Sequence, residues 1–275
     1  MKPLKPNEIL EASFQASETK AESGFGKLAI LSILAGAFIA FAAEGSNMAA
    51  FNLLASAGTY GLGKVLAGVV FGTGLMLVVL CGGELFTGNT LMLAAVAEGR
   101  IRPGKMLRNW GVVYIGNLIG ALLIVFAISV SGLLESGGGM LGAVTLKIAS
   151  AKVNLSFSQA LILGILCNWL VCLAVWLSYG ADTMAGKILG IFFPIWLFVT
   201  SGFEHSIANM YYIPVGILAK GSETFVELAG IAPEILENLT WQGFFLSNLL
   251  PVTLGNILGG GIFVGMAYRY AYRKA

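Results

Sequence analysis

Charge is what this 275-residue chain has least of: Asp, Glu, Lys and Arg make up 11% of it, against 57% apolar residues. An ordinary soluble domain carries about a quarter charged residues, so the shortage excludes a water-exposed globular surface. Cysteine is scarce as well. Cys81, Cys167 and Cys172 are odd in number, lie in apolar segments and lack metal-ligand spacing, which points to buried free thiols and no metal site. With a single histidine, His205, the sequence has no paired haem ligands and no His-Glu-x-x-His, and no nucleotide-binding glycine loop leads into a strand. A membrane enzyme would therefore lack its catalytic groups, and no cofactor is expected. The net charge of +2 has no basic face behind it, which argues against nucleic acid as a partner.

Glycine is abundant, at 37 residues, inside long apolar runs. Hydropathy predicts an all-α integral membrane protein with six spans over 28–55, 62–97, 107–132, 158–179, 186–219 and 241–268, the second and fifth interrupted. Each exceeds the ~20 helical residues that cross a bilayer core. Of the 16 Lys and Arg, only Lys64, Lys147, Lys152 and Lys220 fall on one side of alternating loops, which places both termini in the cytoplasm of a multi-pass cytoplasmic-membrane protein. Residues 1–27 read as a retained amphipathic N-terminal segment, 28–268 as the channel domain and 269–275 as a tail. The acidic stretch 220–240 reads as a solvated segment at the outer surface.

The two interruptions share a pattern, since ELFTGN (84–89) and EHSIAN (204–209) both read Glu, four residues, Asn. Upstream, Asn47 precedes Glu84 at nearly the interval by which Asn168 precedes Glu204; downstream, Gly116-Asn117 and Gly255-Asn256 lie in the next spans. Three spans repeated must enter the membrane from opposite sides, which predicts an inverted three-plus-three repeat.

A broken helix in hydrocarbon persists only where protein or a water-filled cavity satisfies the severed backbone, so both breaks are expected on an internal pathway. The restarting half-helices point N-termini at the midplane and favour an anion there. His205 stands at this junction with Thr87 as its hydroxyl partner from the other break. With an unperturbed pKa of ~6.5, a neutral imidazole could hydrogen-bond a solute and a protonated one could attract an anion or hand it a proton. Candidate pathway groups are His205, Thr87, Asn168 and Asn209. Glu84 and Glu204 are read as structural, accepting severed N–H groups. Glu44 and Asn47 sit either near a pore mouth or at a helix contact. Phe71, Leu75, Leu85, Phe86 and Phe198 would form apolar constrictions that strip water from a charged solute. Lys152 and Lys20 would raise local anion concentration at the two mouths.

GGELFTGNT (82–90), GILCNWLVCLAVW (164–176), SGFEHSIANM (201–210) and TLGNILGG (253–260) resemble the formate/nitrite transporter family over nearly the whole chain. The resemblance implies an aquaporin-like protomer, a homopentamer with one pore per subunit, and small weak-acid anions as substrates: formate first, nitrite and hydrosulfide close behind. Thr87 and His205 match the central threonine and histidine, and Lys152 the vestibule lysine. Phe71, Leu75 and Phe198 match constriction positions, with Leu85 and Phe86 on the loop of the second segment. In that family the histidine either protonates the anion or stabilises it electrostatically. The first span departs at AAEGSNMAAFN, where Glu44 adds an acid. Two rivals share these residues: a neutral-solute channel of the water or ammonia type, and proton-coupled symport.

Overall fold

The computed structural model describes residues 2–273, so Lys274 of the tail lies outside the described residues. Among the described residues, twelve α-helical segments and one 3-10 turn (Leu133–Glu135) carry the fold, and six of the helices are long and apolar enough to cross a membrane: α2 (Phe25–Leu54), α3 (Tyr60–Gly82), α5 (Pro103–Val130), α7 (Phe157–Gly180), α8 (Met184–Ser201) and α12 (Gly243–Tyr272). Two shorter apolar helices, α4 (Phe86–Ala97) and α9 (Ser206–Ala219), complete the second and fifth spans after their breaks. Each half begins with a further helix, α1 (Pro6–Glu22) in the first and α6 (Met140–Val153) in the second. Helix α6 falls where the sequence reads as a loop. Its 14 residues are too few to span a bilayer, and they are buried on nearly all sides. The acidic stretch forms α10 (Glu223–Ala229) and α11 (Pro233–Glu237), which bury Phe225 and Leu236 and leave their acids outward.

The glycines make close crossings. A Cβ on Gly120 would lie 1.9 Å from the carbonyl oxygen of Ile33, where α5 crosses α2, and one on Gly259 would lie 2.2 Å from that of Ile165, where α12 crosses α7. Without a hydrophobic force between helices in lipid, such backbone approach is how spans gain packing. Both breaks end a helix on a left-handed glycine, Gly82 at φ +88° and Gly202 at φ +78°, a conformation that a side chain would strain.

The inverted repeat can be placed by its hydrogen bonds. The Glu84 N–H donates to the Leu31 carbonyl at 3.1 Å and the Glu204 N–H to the Leu163 carbonyl at 3.2 Å. In that register Asn168 corresponds to Gly36 and not to Asn47, which corrects the sequence spacing. Gly36 lies against the Asn117 carbonyl as Asn168 lies against that of Asn256, where its amide donates at 2.6 Å. Cys167 and Cys172 are buried free thiols, whereas Cys81 is exposed, contrary to expectation.

Candidate functional site

Each break is stitched by one asparagine. The Asn117 Oδ1 accepts the Phe86 N–H at 3.0 Å while its Nδ2 donates to the carbonyls of Ser32 at 2.7 Å and Glu84 at 2.9 Å. Asn256 repeats this with the Ser206 N–H at 2.9 Å and the carbonyls of Gly164 at 2.8 Å and Glu204 at 3.0 Å. The severed groups are thus satisfied inside protein, as hydrocarbon demands. Glu84 and Glu204 do not take this part, contrary to the capping role read from sequence. A side-chain amide both accepts and donates and can bridge the break, which an ionised carboxylate cannot.

The two carboxylates serve a second duplicated cluster. Lys20 Nζ donates to Glu84 at 2.9 Å, Asn89 Nδ2 donates to Glu84 at 2.7 Å and to Asn109 Oδ1 at 2.8 Å. On the other side Lys152 Nζ donates to Glu204 at 2.7 Å, and Asn209 Nδ2 to Glu204 at 2.7 Å and to Asn248 Oδ1 at 2.7 Å. Lys20 and Lys152 are therefore ion-paired and not free charges at the mouths. Asn109 and Asn248 were not read from sequence, although NWGVVYIGN (109–117) and NLLPVTLGN (248–256) carry asparagine at both ends of the same interval.

His205 and Thr87 meet between the breaks. Thr87 Oγ1 lies 3.0 Å from His205 Nε2, and His205 Nδ1 accepts the Ala208 N–H at 3.0 Å as the N-cap of α9. Since Nδ1 is an acceptor, the neutral ring carries its proton on Nε2 and donates it to Thr87. Both residues are buried. Asn168 joins them from α7, with its amide on the Thr87 carbonyl at 3.1 Å and on Thr90 Oγ1 at 3.0 Å.

A cavity of about 420 Å³ leads to this pair from the Lys152 side, lined by Asn47, Lys64, Lys152, Glu204, His205 and Asn209 among others. Phe71 and Phe198 line it too, meeting edge to face at 5.7 Å, with the Phe198 ring stacked 5.9 Å from His205. Leu75, Leu85 and Phe86 are buried but lie away from this cavity. Phe86 packs edge-on against Trp110 and Tyr114 of α5, at 5.9 and 4.9 Å.

The family model described as Formate/nitrite transporter matches residues 7–270. The chain belongs to that family. This family member is 42% identical over 277 residues to "Formate channel FocA" of Escherichia coli (strain K12), covering 98% of this chain and 95% of the relative. It is 40% identical over 283 residues to "Probable formate transporter" of Methanothermobacter thermautotrophicus, covering 98% and 97%. A solved structure titled "Pentameric formate channel with formate bound" superposes with a TM-score of 0.82 at 41% identity, over 91% of this chain and 98% of that one. As a formate/nitrite transporter it is a multi-pass membrane protein.

Proposed function

We propose that this chain is a channel for small monovalent weak-acid anions, formate first, nitrite and hydrosulfide next, and not an enzyme. It works as a homopentamer in a cytoplasmic membrane with both termini inside. The observation that carries the reading is the Thr87–His205 pair, set between two half-helix N-termini and behind the Phe71–Phe198 contact. The aromatic contact strips water from the anion, which is costly in an apolar passage. The half-helix dipoles and the two side chains offset part of that cost at the midplane.

His205 acts here as a neutral donor. Its Nε2–H is given to Thr87, which leaves the threonine's own hydroxyl proton for the passing anion. A doubly protonated ring would lose the Ala208 hydrogen bond, so the geometry favours stabilisation over proton donation by the imidazole. Lys152 and Glu204 hold the wall around this pair, and Asn168 and Asn209 position the breaks.

Flux of formate, nitrite, hydrosulfide and chloride into proteoliposomes at two pH values tests the reading. Weak-acid anions pass and chloride does not; equal chloride flux would mean a general anion pore. Thr87→Val lowers formate flux about tenfold, the equivalent of one lost hydrogen bond to a charged group. His205→Asn keeps a donor at that place and retains the pH profile, whereas a flattened profile would make the imidazole the proton donor. Anion and proton uptake in a fixed ratio would mark symport, and passage of water or ammonia without anions a neutral-solute channel.

A further inference from the structure

We infer that Thr90 is a positioning residue for the anion site, which with Cys172 holds the Thr87 carbonyl out of the α-helical ladder and so fixes where the Thr87 hydroxyl meets His205. This rests on the channel reading above and names what sets its central threonine.

Helix α4 is irregular just after Thr87. In an α-helix the Leu91 N–H would take the Thr87 carbonyl, four residues back. Here it donates to the Gly88 carbonyl at 3.3 Å, and Thr90 (φ −61°, ψ −23°) and Leu91 (φ −59°, ψ −21°) hold 3-10 angles. Besides the Thr90 N–H at 3.4 Å, the Thr87 carbonyl accepts from three side chains: Thr90 Oγ1 at 2.7 Å, Asn168 Nδ2 at 3.1 Å and Cys172 Sγ at 3.4 Å. Thr90 is the centre of this hub, since its Oγ1 also accepts from Asn168 Nδ2 at 3.0 Å and lies 3.4 Å from Cys172 Sγ. A Cβ on Gly260 of α12 would lie 2.2 Å from Thr90 Oγ1, 2.4 Å from Cys172 Sγ and 2.6 Å from Asn168 Nδ2, so the three side chains meet against one bare backbone position. Short 3-10 stretches inside helices mark strain or function, and side chains hold this one in place.

The duplication separates the hub from the support of a break. In the register of the two glutamates, Thr87 and Thr90 correspond to Ile207 and Met210; in that of Gly36 and Asn168, Cys172 corresponds to Ala40. None of those three side chains is a donor, and α9 is α-helical from Ser206 to Ala219. The second break keeps its stitch and its lysine–glutamate pair without any such hub. What the first half carries in addition is the hydroxyl at position 87, 3.0 Å from the imidazole. If the Leu91 N–H returned to the Thr87 carbonyl, the turn would rewind as α-helix and carry that hydroxyl away from His205.

The test is formate influx into proteoliposomes of the full chain, read as maximal rate per assembled protein, in a double-mutant cycle with Thr87. Thr90→Val, which keeps the shape and removes the hydroxyl, lowers the rate about threefold, the size of one neutral hydrogen bond, and Thr90→Ser restores it. In the Thr87→Val background Thr90→Val costs nothing further, because a residue that acts through Thr87 then has nothing left to position. Losses that multiply in the double variant, or a parental rate in assembled Thr90→Val, overturn the inference, make Thr90 a packing residue and leave the channel reading standing. If Thr90→Val does not assemble, Cys172→Ala carries the same cycle, with a loss of about twofold because a thiol is a weak donor. Absence of anion flux through the parent overturns both.

Discussion

Lys20 reaches Glu84 from α1, and Lys152 reaches Glu204 from α6, each completing a cluster of lysine, glutamate and two asparagines with nearly the same distances. The helices that deliver the two lysines are held in different ways. Helix α6 is part of the core, burying Leu141, Val144, Leu146, Ala149 and Val153, and it walls the vestibule. Helix α1 buries a narrower stripe, Ile9, Leu10, Phe14 and Ala21, and is otherwise tied by ion pairs of Arg100 with Glu11 and Glu18 and of Lys105 with Glu22. Duplication conserved the geometry of the cluster and not its support. One lysine is set by packing that salt does not reach, the other by a helix whose anchors are partly screened charges.

The largest effects should come from the stitches, where the two halves ought to respond alike. Asn117→Ala orphans the Phe86 N–H and the carbonyls of Ser32 and Glu84; Asn256→Ala does the same to the Ser206 N–H and the carbonyls of Gly164 and Glu204. At about 1–3 kcal/mol for each buried orphan, either variant loses several kcal/mol. Both are expected to lose the assembled species in size-exclusion chromatography after mild heating. Survival of one alone would show that the two breaks are not supported equally.

A smaller and unequal effect is expected at the carboxylates. Glu204→Gln removes the counter-charge of the Lys152 ammonium, 15% exposed, and Glu84→Gln that of Lys20, 22% exposed, which keeps its hydrogen bond to Asn89 Oδ1 at 2.8 Å. Removing one member of a buried pair costs about 3–5 kcal/mol, so the Glu204 variant should approach that range and the Glu84 variant fall below it. Thermal midpoints in detergent would rank them. Equal midpoints would erase the difference in burial as a cause.

The spans and both breaks were legible in the sequence because ~20 apolar residues and a polar interruption are one-dimensional signals. Thr87 and His205 were legible for the same reason, as polar groups in the two interruptions. What holds each break together was not. Asn117 and Asn256 could be seen as a repeat marker, yet their work depends on a break lying elsewhere in the chain. The Lys20–Glu84 pair spans 64 residues of sequence, and nothing in either neighbourhood announces the other. Helix α6 was missed because it is too short for a span and too evenly buried to show a one-sided stripe. The same lack of long-range information put Glu84 and Glu204 on the backbone, where the amides stand, and made Lys152 a free vestibule charge.

The smallest expected effect tests whether charge holds α1 at all. Each exposed pair is worth at most about 1 kcal/mol, so Glu11→Gln, Glu18→Gln and Glu22→Gln should barely change the thermal midpoint even when combined. They should change the helix itself. Limited proteolysis within residues 1–24 in detergent would read this locally, since cleavage follows the population of the opened segment. If ion pairs anchor α1, the parent is cut faster as salt rises, and the triple variant is cut at that faster rate even at low salt. If the stripe of Ile9, Leu10 and Phe14 suffices, neither salt nor the substitutions matter. In that case Lys20 is fixed by packing as firmly as Lys152, and the difference between the two clusters lies in burial alone.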